Sequence, residues 1–468
     1  MTLLPLLHRR VGRPLFLPAH GRGSALPNGL RRLLKRRAGL WDLPELPMLG
    51  GPLEADGAVA ESQRSAAAAM GVDRCWYGVN GATGLLQAAL LGICRPGEAV
   101  LLPRNAHRSL IQACVLGDLT PLLFDLPFNR ERGQAEPPDG PWIESVLAAL
   151  PQDHPPITAA VLVHPTYQGY AIDPAAVIRC LHRQGWPVLV DEAHGSHFAA
   201  GVDPTLPASA LHAGADLVVH SLQKSATGLA QTAVLWQLGS RVNADALNRS
   251  LGWLQTTSPS ALLLASCEAA LTLWQTRQGQ QQLRWRLQEA RELFAGLDRD
   301  GLPLIRNQDP LRLVLHTGRA GINGLEADGW MMEHGLVAEL PEPATLTFCL
   351  GLARQRGLRR QLRQTWQGLL KAHGDRMPQP PQCPPPLPRV CAPERAVGSA
   401  WRAQRRLCPL EQAEGEIAAE LLCPYPPGVP LLVPGERLDR PRQQWLIQQR
   451  QLWGEQIPAT LAVVDSVA

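Results

Sequence analysis

Of the 45 lysines and arginines in the chain, only Lys35, Lys224 and Lys371 are lysines. Arginine serves wherever a positive charge suffices, so a retained lysine points to work that a guanidinium cannot do. Attack on a carbonyl by an amine that has lost its proton is such work, because guanidinium stays protonated. Lys224 stands in the run His220-Ser221-Leu222-Gln223-Lys224-Ser225, directly after the apolar Leu217–Val219. Two other apolar runs end in a similar way. Val188–Val190 passes into Asp191-Glu192-Ala193-His194-Gly195, and Ala159–Val163 into His164-Pro165-Thr166-Tyr167. An acid, hydroxyls, histidines and a rare lysine thus follow short apolar segments. A further run, Gly78-Val79-Asn80-Gly81-Ala82-Thr83-Gly84, leads into an apolar helical pattern. Its glycines admit close backbone approach, and a helix N-terminus offers free N–H groups and a positive dipole end, which together suit a phosphate. A glycine turn before a helix is a weak signal alone; beside the lysine and the aspartate it gains specificity.

The elements that must carry these residues are legible between residues 55 and 260, where short apolar runs alternate with helical patterns. That alternation predicts a doubly wound, mostly parallel sheet. The expected strands are Val100–Pro103, Pro121–Phe124, Ala159–His164, Val188–Asp191, Leu217–His220 and Thr232–Trp236. They lack polar alternation, as strands covered on both faces do. Helices are expected over Gly84–Cys94, Arg108–Gly117, Trp142–Leu150 and Pro174–Gln184, the last capped by Asp173. In open parallel sheets the ligand sits at the carboxyl ends of the strands, so the three polar runs are expected at one rim.

A lysine to form an imine, a carboxylate to keep a pyridine nitrogen protonated, and a phosphate cradle are what pyridoxal phosphate (PLP) chemistry requires. The chain also resembles the Orn/Lys/Arg decarboxylase family of fold-type-I PLP enzymes. The resemblance rests on Pro18-Ala19-His20-Gly21-Arg22-Gly23, Asp42-Leu43-Pro44-Glu45-Leu46-Pro47, Val79–Thr83, Pro103-Arg104-Asn105-Ala106-His107-Arg108-Ser109, Pro165–Gly169, Asp191–His197, Gly214-Ala215-Asp216, Ser221–Lys224 and Pro424-Tyr425-Pro426-Pro427-Gly428-Val429-Pro430. These blocks keep the family's order over nearly the whole chain. The resemblance implies an aminotransferase-like PLP fold of type I, with a large doubly wound sheet domain and a smaller α+β C-terminal domain. It also implies the roles. Lys224 is the Schiff-base lysine, Asp191 the partner of the pyridine nitrogen, and His107 the histidine stacked on the ring. Ala82, Thr83, Ser221 and Thr166 contact the cofactor. His194 lies close to its phenolic oxygen and to the reacting imine, so the catalytic groups are Lys224, Asp191, His194 and His107. The family usually has histidine immediately before the lysine, where this chain has Gln223.

Composition excludes several other classes. The apolar fraction of 45%, charged fraction of 18% and net charge of +4 are those of an ordinary globular chain. The one basic cluster, Arg31, Arg32, Lys35, Arg36 and Arg37, reads as a solvated helix face, and no nucleic-acid partner is expected. No run of about 18 uncharged apolar residues exists to span a membrane. Met1–Leu7 meets His8, Arg9 and Arg10 too soon for a signal peptide, and the extra N-terminal domain of long family members is not expected. Ten scattered cysteines without a CxxC pair point to reduced, buried thiols in a cytoplasmic protein, with no metal site. The Asp-Glu-Ala-His spelling is shared with a helicase box, but that assignment needs a phosphate loop with a Gly-Lys pair, and the chain has none.

The expected organisation is an N-terminal segment over 1–54, a PLP-binding large domain over 55–275, a small α+β domain over 276–376, an exposed proline-rich linker over 377–393 and a C-terminal decarboxylase-type segment over 394–468. The expected reaction is decarboxylation of arginine, lysine or ornithine, a small-molecule substrate, to a polyamine or its precursor. Glu339 and Glu342 are the candidates to meet the substrate's distal cation, and a homodimer is expected because this fold usually builds its site across a dimer interface. The alternatives are another fold-type-I reaction, an aminotransferase or an acyl-CoA-condensing synthase, and a non-catalytic PLP-binding protein. Singling out one lysine has a direct consequence. Lys224→Ala should abolish borohydride-trapped PLP on the chain, whereas Lys35→Ala and Lys371→Ala should leave it intact. Trapped PLP persisting in Lys224→Ala, read by intact mass, would contradict the assignment.

Overall fold

The computed structural model describes residues 7, 12–37, 39–44, 46–374, 376–423, 430–453 and 456–465. Glu45 and the residues 424–429 of the proline-rich motif lie outside that set. Eight strands form the principal sheet: β1 Arg74–Gly78, β2 Ala99–Pro103, β3 Thr120–Phe124, β4 Ile157–Val163, β5 Val188–Asp191, β6 Leu217–Ser221, β7 Ala233–Gln237 and β8 Val390–Cys391. Their spatial order is β8-β3-β2-β4-β5-β6-β7-β1. The five central strands β3 to β6 run parallel. β7 opposes β6, and β1 opposes β7, so β1 points the same way as the central five. The carboxyl ends of β1, β2, β4, β5 and β6 therefore share one edge.

Both faces of the sheet are covered, and successive residues divide between them with period two. Ala99, Leu101, Val188, Val190, Val218, Val234 and Trp236 join one core. Val100, Leu102, Leu189, Leu217, Val219, Ala233 and Leu235 join the other, packed by helices α1 Gly81–Ile93 and α2 Arg108–Gly117. This two-sided burial explains why the strands read as continuous apolar runs. α3 Gly140–Ala148 begins at the Asp139 cap, and α4 Ala175–His182 begins where Asp173 Oδ1 accepts from the Ala175 N–H at 3.0 Å.

The expected strands and helices are all present, with ends moved by no more than three residues. α1 starts at Gly81 instead of Gly84, because Gly81 takes a φ of +72° that turns β1 directly into the helix. Beyond the sheet come two consecutive helices, Ala261–Gln275 and Arg277–Arg299, divided where Thr276 leaves helical geometry and its side chain caps the second by accepting from Gly279 N–H. Strands β1 and β8 did not stand out in the sequence, β8 being only two residues long.

A second, antiparallel sheet is ordered Leu304–Ile305, Arg312–Leu315, Thr345–Cys349, Leu340–Glu342. The chain beyond it returns to the principal sheet. The Met377–Pro393 stretch is exposed along much of its length, yet it is anchored. Gln382 N–H donates to Arg130 O at 2.6 Å, Trp445 Nε1–H to Cys383 O at 3.0 Å, and β8 pairs with β3. The C-terminal residues form their own small core around Leu410, Leu432, Leu438, Leu446 and Val463, with Arg405–Pro409 paired to Thr460–Val464. All ten cysteines are free, seven of them buried. No helix among the described residues is long and apolar enough to cross a membrane.

One buried ion pair ties the C-terminal core to the sheet. Arg104, just past β2, donates to both oxygens of Glu436 at 2.5 and 3.1 Å, and both side chains are almost wholly buried. The Arg104 guanidinium holds the Glu436 carboxyl below its usual range against the opposing cost of burial. Removing one charge strands the other, which costs about 3–5 kcal/mol in such settings. Glu436→Gln should therefore lower the urea midpoint strongly; a midpoint within error of the parent would show that the pair does not secure the segment.

Candidate active site

Between the carboxyl edge of the principal sheet, the second sheet and the C-terminal segment lies a cavity of about 1150 Å³. Its lining includes every candidate named from sequence: Lys224, Asp191, His194, His107, Ala82, Thr83, Ser221 and Thr166, together with Gln223, Glu339 and Glu342. Common strand direction accounts for the convergence. His107 follows β2, Thr166 follows β4, Asp191 ends β5, Ser221 ends β6, and the Gly81–Thr83 turn follows β1.

Lys224 sits in a short helical turn, Leu222–Ser225, immediately after β6. Its Nζ lies 3.0 Å from His194 Nε2 and 5.9 Å from the centre of the Tyr167 ring. Burial pulls the amine's pKa below the ordinary lysine value; the Asp191 and Glu339 carboxylates resist that fall and Arg312 adds to it. A downward shift is what a nucleophilic amine needs. His194, behind the amine, is held well below the ordinary histidine value by burial, with Lys224 and Arg312 adding repulsion. Asp191 is 7% exposed, and its Oδ1 accepts from Ala193 N–H at 3.1 Å.

His107 caps α2, its Nδ1 accepting from the Ser109 N–H at 3.2 Å. That bond leaves the neutral ring's proton on Nε2. Burial lowers the His107 pKa, opposed by Asp191. Thr166 is buried and its Oγ1 accepts from Tyr170 N–H at 3.1 Å. Gln223 Oε1 accepts from Gln231 N–H at 3.3 Å, and Gln231 O accepts from Gly81 N–H at 2.8 Å. Gln223 thus braces the loop on which the start of α1 rests.

The second sheet supplies acids. The Tyr167 hydroxyl donates to Glu339 Oε1, Glu339 Oε2 accepts from Leu17 N–H at 2.8 Å, and the Tyr167 ring lies 4.3 Å from the His194 ring. Glu342 is buried among Gln134, Gln168 and Thr345, which donate to it, and burial raises its pKa.

These residues suit a phosphorylated pyridine aldehyde. Ser221 Oγ is buried without a hydrogen-bond partner among the described residues, an orphan that a phosphate oxygen would satisfy. Gly81, Ala82 and Thr83 present the first turn of α1 to the same cavity, where free N–H groups favour an anion. Lys224 offers the amine for the aldehyde and Asp191 a carboxylate for a ring nitrogen.

Two participants were missed in the sequence. Glu192, wholly buried, accepts from Ser209 Oγ at 2.6 Å, Ala210 N–H at 3.0 Å and His220 Nε2 at 2.7 Å. Arg312, 3% exposed, reaches His194 Nδ1 at 3.1 Å. The available signal was an ionisable residue inside an apolar strand, as in Leu217-Val-Val-His220 and Leu311-Arg312-Leu-Val-Leu, since charged groups are fully buried only when paired.

The chain is similar to known proteins over nearly its whole length. The model for the major domain of Orn/Lys/Arg decarboxylases matches residues 41–311, and that for their C-terminal domain matches 384–459. Arginine decarboxylase of Bacillus cereus is 28% identical over 430 residues, covering 90% of this chain and 92% of that protein. The inducible lysine decarboxylase of Escherichia coli is 21% identical over 497 residues, covering 83% and 67% respectively. Among solved structures, lysine decarboxylase A from Pseudomonas aeruginosa superposes with a TM-score of 0.76 at 17% identity, covering 96% of this chain and 78% of that one, a likeness of fold.

The environment of His194 sets an expectation. Its ring resonances, assigned by comparison with His194→Gln, should still show neutral-imidazole shifts at pH values below the ordinary histidine value, because burial disfavours the imidazolium. A titration midpoint near 6.5 would contradict the burial and repulsion described above.

Proposed function

This chain belongs to the Orn/Lys/Arg decarboxylase family, and from that premise we propose that it removes the α-carboxylate of arginine, lysine or ornithine as carbon dioxide, with PLP as cofactor. The observation that carries this reading is the meeting, on one cavity wall, of a half-buried lysine amine with a lowered pKa, a strand-end carboxylate and the open first turn of a helix. When bound, PLP supplies a protonated pyridine that accepts the electron pair left by the departing carboxylate.

The chain's own groups do the rest. Lys224 would hold the cofactor through its side-chain amine. Asp191 would keep the pyridine nitrogen protonated, and His107 would bind against the ring. Ser221, Thr83 and the Ala82 backbone would bind the phosphate, and Thr166 would also contact the cofactor. A proton must return to the α-carbon in place of the carboxylate, and Lys224 and His194 are the groups placed to hold it. Glu339 and Glu342 offer negative charge to the distal ammonium or guanidinium. The rival reactions on this fold have no comparable observation in their favour.

The reading extends to organisation. The residues 55–275 form the cofactor domain, 276–376 the small domain and 394–468 the C-terminal segment, joined through 377–393 and preceded by 1–54. The working form is a cytoplasmic homodimer. Purified protein with PLP should release carbon dioxide and form agmatine, cadaverine or putrescine from at least one of the three amino acids. Keto-acid formation, or no product from any of them, would contradict the proposal. Asp191→Asn keeps the pocket's shape but cannot stabilise the pyridinium. It should lose about 3 kcal/mol of barrier lowering, roughly a hundredfold in kcat, while still binding PLP.

A further inference from the structure

Two hydrogen bonds meet at His194 from opposite sides. Arg312 Nη2 lies 3.1 Å from Nδ1, and Lys224 Nζ lies 3.0 Å from Nε2. A guanidinium has donors only and does not lose its proton, so Nδ1 must accept. A neutral imidazole then carries its one hydrogen on Nε2. That hydrogen points at Lys224 Nζ, which can accept it only through a lone pair, as an uncharged amine. The opposite tautomer would set an Nδ1–H against an Arg312 N–H at 3.1 Å.

We propose that Arg312 is a positioning residue which, by donating to Nδ1, fixes His194 as the Nε2–H tautomer and thereby holds the Lys224 amine uncharged and ready to react. The proposal rests on the reading of Lys224 as the cofactor-attaching lysine. Arg312 acts through His194. Its guanidinium is buried and is not among the described residues that line the cavity. Asp309 anchors it from behind: Oδ2 stands 3.8 Å from Arg312 Nη1, while Oδ1 accepts from Leu311 N–H at 2.9 Å and pairs with His197 Nε2 at 3.0 Å. Arg312 lies on the Arg312–Leu315 strand of the second sheet and His194 in the loop after β5, so the relay forms only when the two parts are docked. The groups that face the amine are Asp191 from β5, Glu339 and Cys349 from the second sheet, His107 from α2, Tyr167 from the loop after β4, and Arg312 and His194 themselves.

The test uses the full chain without cofactor. Histidine-selective 15N NMR should show His194 as the Nε2–H tautomer, and the rate of borohydride-trapped PLP attachment to Lys224 should be followed against pH. In Arg312→Met the tautomer preference should be lost and the attachment profile should move to higher pH, slowing attachment at neutral pH about tenfold per unit moved. Arg312→Lys keeps a charged donor and should restore the tautomer and most of the rate. An Nδ1–H tautomer in the unmodified chain overturns the proposal whether or not the variants fold. So does an Arg312→Met protein with the parent's tautomer and profile, even while PLP still attaches to Lys224. Attachment elsewhere than Lys224 overturns the proposed function itself, and this role with it.

Discussion

A carboxylate with no exposure at all, Glu192, holds together the strand ends that line the cavity. Burying an ion in a sheet protein is costly unless it is hydrogen-bonded on all sides, and Glu192 achieves this by accepting from Ser209, Ala210 and His220. Trp236 Nε1–H in turn donates to His220 Nδ1 at 2.9 Å. An indole donates only, so His220 is a neutral ring whose Nε2–H faces Glu192. Period-two geometry puts Glu192, His220 and Trp236 on one face of the sheet, and these contacts stitch β5, β6 and β7 together. Asp191, one residue earlier, is thereby turned to the other side and into the cavity. The position of Lys224 relative to Asp191 depends on that stitching, because one follows β6 and the other ends β5.

The same need to satisfy buried charge explains why the site is a junction. Arg104 is answered by Glu436 from the C-terminal segment, His194 by Arg312 from the second sheet, and Tyr167 by Glu339. Each contact crosses from the principal sheet to another part of the chain. None of the three parts alone encloses the Lys224 amine, and enclosure is what lowers its pKa. Closing the cavity and lowering the pKa of the Lys224 amine are thus one event.

Much of this was legible before the structure. The strands of the principal sheet could be placed to within a few residues because two-sided burial makes each an unbroken apolar run, and polar residues that end those runs line the cavity. Lys224 stood out by rarity and Asp191 by position. What could not be read came from contacts distant in sequence. Nothing near Arg312 announces that it reaches residue 194, and nothing near Arg104 announces residue 436. Glu192 was hidden by its neighbours, since adjacent strand-end residues face opposite ways and the sequence does not say which faces the cavity. The 377–393 stretch, taken as a linker on its prolines, carries a two-residue strand too short to show a pattern.

The central claim is that Lys224 and Asp191 grip one cofactor from neighbouring strand ends. A crystal structure of the chain grown with PLP tests it most directly. Continuous density from Lys224 Nζ to the cofactor, with the ring nitrogen against Asp191 and the phosphate at Ser221 and the first turn of α1, is the predicted result. PLP bound away from Lys224, or with its ring nitrogen turned from Asp191, would contradict it.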